Sequence, residues 1–481
     1  MTLAARRGSM RGMWEGGCRV RFVPLVLCVA AGALAGCKRR TADAPGESVR
    51  VVRDAGPAVA PGKPVAAGSV LGEGFAFQIA VYHLPRPKKD PDAVLARALR
   101  GRPIRLRPGW PTGGLSAEPV MWVLKPPISD YPPPGDTDLE IASNGLTDGQ
   151  KRALAGSRSV TVLIFAGPGK SAAATYRHAL ALASDLAAAT GGLIWDADTR
   201  ELFSREAWAT RLESWHEGLP DVSAHIVIHS YRDGELLRMI TLGMEKLALP
   251  DVVVNQVALS DERAFGNLIN VTCQTLFERP VLGRAGELAV ALDELKHPGA
   301  RSRATENPLK GAKQRATIHL SVAERQEDDP DNLVEIVLPG AAAELQVRQT
   351  ALVAQLFGSS DQIEYVEHDA AVLVASLRAK LALMKHKPRY LKEPPHGERL
   401  LVKAPFRTPD GGNEWMWVEV VRWQGQTIHG ILDNNPFDIP DLKAGAKIEV
   451  KEDALFDYLL VKGDGTQEGN ETARLMKREP R

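Results

Sequence analysis

Residues 159–174 read SVTVLIFAGPGKSAAA: an apolar run, a glycine-proline turn, Gly169-Lys170-Ser171, then an alanine-rich stretch. A strand that turns through glycine into a helix is a basic unit of layered α and β structure, and nucleotide-binding proteins use the same turn to cradle phosphate. The phosphate loop spans G-x-x-x-x-G-K-S/T, because its successive backbone N–H groups must wrap the anion. Five positions before Gly169 stands Ile164, inside the apolar run, and Pro168 supplies no N–H. The segment therefore reads as a strand-to-helix turn with Lys170 and Ser171 in the first helical turn. No nucleotide is expected.

Outward from this turn, strand patterns occur at FAFQIAVYHL, EPVMWVLK, GLIWDA, AHIVIHSY and DVVVNQVAL. Helical patterns occur at DPDAVLARALR, TDGQKRALAG, KSAAATYRHALALASDLAAAT, SREAWATRLESW and DERAFGNLINVTCQTLFE, with Asp90, Asp92, Thr147, Ser204 and Asp261 as caps or first-turn acids. These elements predict an α+β sandwich over 71–283, helices lying on a mostly antiparallel sheet. YPPPGDT, Tyr131 to Thr137, reads as an exposed loop. A middle segment, 284–387, offers a helix at GELAVALDELK, strands at RATIHLSVAE and NLVEIVLP, and two further helices. RQEDDPDN between those strands lacks the glycine and closing glutamate of a calcium loop and reads as a solvated hairpin tip. From 388 to 481 alternation and aromatics dominate, as in EWMWVEVVRW, and a compact β-rich domain is expected.

Composition is ordinary for a globular chain of 481 residues, 44% apolar and 25% charged, with formal net charge +1. Residues 1–36 hold five arginines and one acid, so the remainder carries 55 basic against 58 acidic residues, or −3. Nothing there favours a polyanion, and no nucleic-acid partner is expected. The same 36 residues run from arginines into FVPLVLCVAAGALA, Phe22 to Ala35, the length of a signal-peptide core. They end in LAGC, Leu34 to Cys37, which resembles the bacterial lipobox. The resemblance implies cleavage between Gly36 and Cys37, diacylglyceryl transfer to the Cys37 thiol and acylation, palmitate among the acyl groups, of the new amino terminus. Two or more acyl chains make such an anchor effectively permanent. Lys38 is not the aspartate of inner-membrane retention, so the outer membrane is the expected destination. Residues 37–70, without aromatics or periodicity, read as a flexible tether spanning about 30 Å. Cys273 is left without a disulfide partner and reads as a buried thiol.

Catalytic templates fit poorly. In LIWDADTREL, Asp196 and Asp198 approach the D-x-D-x-T pattern of haloacid-dehalogenase phosphatases, but Thr199 comes one position early, and an Asp-rich turn is the simpler reading. His225 and His229, placed on one face of a strand, stand about 13 Å apart, too far for one zinc. No metal and no cofactor are expected. Cleft chemistry from scattered acids such as Glu414, Glu419 and Asp457 stays open. In EWMWVEVVRW, strand alternation puts Trp415, Trp417, Glu419 and Val421 on one face and Met416, Val418, Val420 and Arg422 on the other. One face is core; the other is a half-covered surface or a ligand-stacking platform.

The set Trp415-x-Trp417, Gly430-x-Leu432-x-Asn434-x-Pro436, Asp457-Tyr458 and Glu468-Gly469-Asn470 resembles the YegJ-like domain of unknown function, over roughly 389–477. The first unit is similar to a second bacterial domain of unknown function, on Gly191, Gly192, Asp196 and ITLGMEKLALPDVVV, whose glycine is expected against a packed helix. The resulting expectation is a non-enzymatic, lipid-anchored envelope protein that binds or scaffolds a protein partner, with Trp415, Trp417, Asn434 and Asp457 as the candidate surface. A periplasmic hydrolase with a site between domains and an immunity-type protein that binds a toxin are the rivals.

Overall fold

The structure, a computed structural model, describes residues 49–472, less 53–61, 85–89, 101–102, 112–115, 136–138, 141, 235, 259–260, 307–310, 341–344, 359–369, 392–394, 396, 410, 441 and 463–465. The lipobox, Gly36 and Cys37 lie outside the described residues. The architecture is α+β, with three main sheets that are mostly antiparallel and a β-rich C-terminal region.

β1 (Val49–Val52) opens the described chain and belongs to the last sheet. The first sheet is centred on β2 (Gly74–His83), β3 (Val120–Leu124), β4 (Ser159–Pro168), β5 (Leu193–Asp196) and β6 (Glu201–Phe203), in the order β3-β4-β2-β5-β6. β2 and β4 are apolar almost without interruption because both faces of the sheet are covered. On one face lies the helix that follows the opening turn; α1 (Pro91–Ala98) and α2 (Asp148–Ala155) flank the sheet. That covering helix, α3 (Ala172–Thr190), buries Tyr176, Ala179, Ala183, Leu186 and Ala187, and its small residues let it sit close to the strands. On the other face Tyr82, Trp122, Tyr131 and Leu154 form a second layer. Tyr131 is thus buried, with its hydroxyl on the Gln78 side chain, so the expected exposed loop is pinned at its first residue. At the opening turn itself, Gly169 N–H donates to the Glu73 carbonyl and the Ser171 hydroxyl to the Pro168 carbonyl. These groups serve the chain's own backbone.

After α4 (Arg205–Glu213), the second sheet comprises β7 (Val227–Asp233), β8 (Leu236–Leu242), β9 (Asp251–Val257), β10 (Glu287–Ala291), β11 (Arg315–Val322) and β12 (Leu333–Val337), in the order β7-β8-β9-β12-β11-β10. It crosses the division expected between 283 and 284: β9 pairs in parallel with β12, Asp251 opposite Leu333. α5 (Glu262–Glu278), α6 (Pro298–Thr305) and α7 (Leu345–Phe357) accompany it. One core runs through both sheets, from Phe75 to Leu356, and Cys273 of α5 is buried in it. The helix expected at GELAVALDELK is strand β10 followed by a 3-10 turn over Leu292–Glu294. Pairing with β11, from Glu287↔His319 to Ala291↔Arg315, overrides the local pattern and buries Leu288 and Val290. The acidic tip is not merely solvated, since Asp329 takes both terminal nitrogens of buried Arg238.

Part of the expected tether is fixed. Val322 N–H donates to the Lys63 carbonyl, Val65 N–H to Leu320, and Gly286 N–H to Val65. Where β10 stops short, these residues supply the neighbour that the end of β11 lacks, and a sheet edge accepts any backbone whatever its side chains.

The third sheet holds β13 (Arg399–Arg407), β14 (Asn413–Gln424), β15 (Thr427–Leu432), β16 (Lys447–Lys451), β17 (Asp457–Val461) and β18 (Gln467–Gly469), in the order β1-β16-β15-β14-β13-β17-β18. α8 (Ala370–Tyr390) lays Ala379, Leu383 and Tyr390 onto Leu400, Val402, Met416, Val418 and Trp423. The helix therefore belongs with the C-terminal domain, and the boundary expected at 387/388 falls inside that unit.

Candidate functional site

Two sequence landmarks meet in the interior. β5 ends in Asp196, and the run after β8 turns at Gly243 (φ 115°) into a 3-10 turn over Met244–Leu247. Lys246 Nζ stands 2.6 Å from Asp196 Oδ2, and Arg211 Nη1 reaches the same oxygen, its guanidinium stacked over Phe203. Gly243 lies against Thr199, the His225 carbonyl and Lys246, not against the packed helix that the sequence predicts for it. Burial opposes charge on Asp196, but Lys246 and Arg211 outweigh it and hold the carboxyl below its usual range. The neighbouring Asp198 is driven up by burial and by the charge of Asp196. His225 does not share a strand face with His229. It ends a 3-10 turn over Val222–Ala224, between the Tyr176 and Ser214 hydroxyls, and burial followed by Arg211 and Lys246 keeps it neutral. Each charge in this centre is matched by another, so it fixes the two sheets together.

The C-terminal motif is largely spent on the fold. A Cβ on Gly430 would run into the Glu419 carbonyl and the Val418 side chain, so β14 and β15 meet there only through glycine. Gly469 (φ 95°) passes the Tyr458 carbonyl in the same way, and Asn470 N–H donates to that carbonyl. Asn434 Oδ1 accepts from Trp417 N–H at 3.1 Å. Asp457 is buried and accepts from the Thr472 N–H and hydroxyl. Glu468 takes the Tyr458 hydroxyl and His386.

What this scaffold leaves on its outer face is aromatic and basic. In register across three strands stand Trp417, Lys403 and Asp457. Lys403 Nζ lies 5.6 Å from the Trp417 ring centre, and burial lowers its pKa. Trp415 packs on Phe456, ring centres 4.3 Å apart, and both tryptophans stay half-buried. Phe437 is 75% exposed, its backbone held by the Glu414 carboxylate, which accepts from the Phe437 and Asp438 N–H groups. Trp415, Trp417 and Asn434 are thus brought together; Asp457 shares their face but is covered, its carboxylate taken up by Thr472. The alternation expected for β14 holds to Val420. A bulge at Val421 then reverses it, exposing Arg422 and burying Trp423.

The same outer face docks at its far end. Glu419 receives Arg232 of β7, and Arg399 Nη1 pairs with Glu262 of α5 at 2.7 Å. Asp433, buried beside them, is pushed up to about 7 by burial, with the acids Glu419 and Asp261 adding to it and Arg399 and Arg232 opposing. Sequence reasoning named Glu419 but missed Asp433, Arg232, Arg399, Lys403, Arg211 and Lys246. For Lys246 the available signal was a lone cation inside the apolar run ITLGMEKLALP. Among the described residues no group of three or more His, Cys, Asp or Glu side chains comes together as a metal would need.

Residues 370–479 match a family described as an uncharacterized protein conserved in bacteria (DUF2314). The match starts at α8 and covers under a quarter of the chain. No curated protein and no solved structure matches the chain. The C-terminal region is thus similar to a bacterial domain whose function is unknown.

Proposed function

We propose that this chain is a lipid-anchored protein of the bacterial cell envelope, held through Cys37 and most consistent with the outer membrane. In this reading it acts without catalysis, presenting the outer face of its third sheet to a protein partner. The observation that carries the proposal is the half-open Trp415–Trp417–Lys403 surface beside exposed Phe437. Rigid aromatics with a cation above them give contact area at little entropic cost, which is the pattern of binding hot spots. Asn434 fixes the Trp417 backbone and so preorganises the ring. The test uses the chain and its Trp415→Ala/Phe437→Ala variant as baits on envelope extract. A partner held by the parent and lost by the variant supports the reading; identical captured sets refute it. A toxin among the captured proteins would select the immunity-type form of the same reading.

The rival, a periplasmic hydrolase, is favoured by one observation: Asp433, titrating at about 7, sits in the same cluster as Glu419 at the junction of the C-terminal domain with the second sheet. A buried carboxyl with a raised pKa beside a second carboxylate is an arrangement that acid–base chemistry uses. Hydrolysis of an envelope substrate that Asp433→Asn abolishes while the variant still melts cooperatively from a folded state would support it.

A further inference from the structure

α8 turns a second surface outward. Ala375, Ala379 and Leu383 enter the core, and on the opposite side Leu373, Leu377 and Leu381 recur every four residues with 50%, 61% and 71% of their surface exposed. Val374 widens this stripe. At 3.6 residues per turn, Arg378 and Lys385 flank it on one side and Lys380 and Lys387 on the other. The helix contains no acid. Lys387 pairs with Glu452, Arg389 with Glu398, and Lys380 reaches the Asp453 carbonyl. Arg378 and Lys385 make no ion pair among the described residues and stay exposed. Leucines edged by cations on both sides are what an interfacial membrane helix requires: the apolar stripe enters the boundary of the acyl chains while the long basic side chains reach phosphate.

The path of the chain points the same way. Val49 pairs with Val450, two residues before Glu452, the partner of Lys387. The chain entering β1 therefore arrives beside α8. Residues 38–48 lie between Cys37 and β1, a stretch that reaches at most roughly 40 Å. A bilayer holding Cys37 is thus within reach of the helix.

We propose that α8 is a second membrane contact, lying in the plane of an anionic phospholipid surface with Leu373, Leu377 and Leu381 inserted and Arg378 and Lys385 on lipid phosphates. The proposal rests on the anchored reading for the presence of a bilayer, though the contact itself is independent of lipidation. It also orients the domain. Trp415 and Trp417 project from the sheet face opposite α8, so seating the helix on the membrane turns the aromatic surface toward the aqueous side.

The test takes the chain from Lys38 to Arg481, without leader or lipid, and sediments it with vesicles of phosphatidylglycerol and phosphatidylethanolamine or of phosphatidylcholine alone. Binding is expected to the anionic vesicles, to weaken with salt, and to fall on the order of twentyfold in Arg378→Gln/Lys385→Gln. Leu373→Asp/Leu377→Asp/Leu381→Asp, at positions outside the core, should melt as the parent does and lose binding to the anionic vesicles. Absence of binding by the parent, or undiminished binding by the aspartate variant, overturns the proposal. So does a dimer without vesicles that the aspartate variant converts to monomer, which would give the stripe to a second copy. Because this material carries no lipid, failure here counts against α8 and leaves the Cys37 anchor to be judged by the mass of the cell-derived protein.

Discussion

Lys246 Nζ lies 2.6 Å from Asp196 Oδ2 with both side chains fully withdrawn from solvent, fifty residues apart in the chain and at the meeting point of two sheets. A buried pair of this kind offers little net gain over apolar residues, but removing Lys246 leaves the buried Asp196 charge with Arg211 alone to compensate it. Lys246→Met should therefore destabilise the protein by about 3–5 kcal/mol in urea unfolding. Arg211 shares the same carboxylate oxygen and sets the lower end of that range. A loss under about 1 kcal/mol would mean that water or relaxation reaches the site.

Gly430 and Gly469 are the positions where the family motif acts through backbone alone. Gly430→Ala should cost at least about 2 kcal/mol, because the obstructing Glu419 carbonyl belongs to a central strand and cannot retreat. Gly469→Ala adds a strained φ to a similar clash. Thermal melts of both variants against Gly425→Ala, which carries a positive φ (61°) without a clash, and Gly283→Ala, which carries neither, check the contrast.

The two faces of β14 should respond differently to truncation. Met416→Ala removes a fully buried side chain and should cost about 2–5 kcal/mol. Trp417→Ala strips a half-covered ring and should cost less than Met416→Ala while abolishing partner capture. Equal losses for the two would place Trp417 in the core and remove it from the binding surface.

The pH dependence of stability has a sign fixed by Asp433. Its folded pKa, about 7, lies above the ordinary carboxyl value, so the folded protein binds more protons than the unfolded chain between about pH 4 and 7. Stability from this group is complete at the acid end and declines as pH rises through that window. Asp251, also at about 7 through burial, contributes a slope of the same sign. His83, lowered to about 4 by burial and Lys125, contributes the opposite slope between about 4 and 6.5. Asp433→Asn should therefore gain on the parent by an amount on the order of 2 kcal/mol from pH 5 to pH 8. Parallel curves for the two proteins would show that Asp433 ionises freely.

Local pattern carried much of the fold. SVTVLIFAGPGK predicts a strand, a turn and a helix, and those are β4, the turn at Gly169 and α3; Thr147 and Ser204 cap the helices that follow them. Long-range pairing was illegible. β9 meets β12 in parallel across some eighty residues, and no composition marks such a partner. GELAVALDELK suits a helix by itself and becomes a strand because β11 offers a ladder. Residues 63–65 join a sheet through backbone groups alone, which an alanine-proline-glycine sequence does not announce. The candidate surface was legible where aromatics repeat at two-residue spacing, as at Trp415 and Trp417. Lys403 and Asp433 were not, because register across strands, rather than sequence neighbourhood, gives them their surroundings.

Intact mass of the protein extracted from membranes of cells producing the full chain decides the envelope placement. The expected species begins at Cys37 and carries a thioether-linked diacylglyceryl group, with a further acyl chain on its amino terminus. A chain that keeps residues 1–36 and an unmodified Cys37 thiol would contradict it.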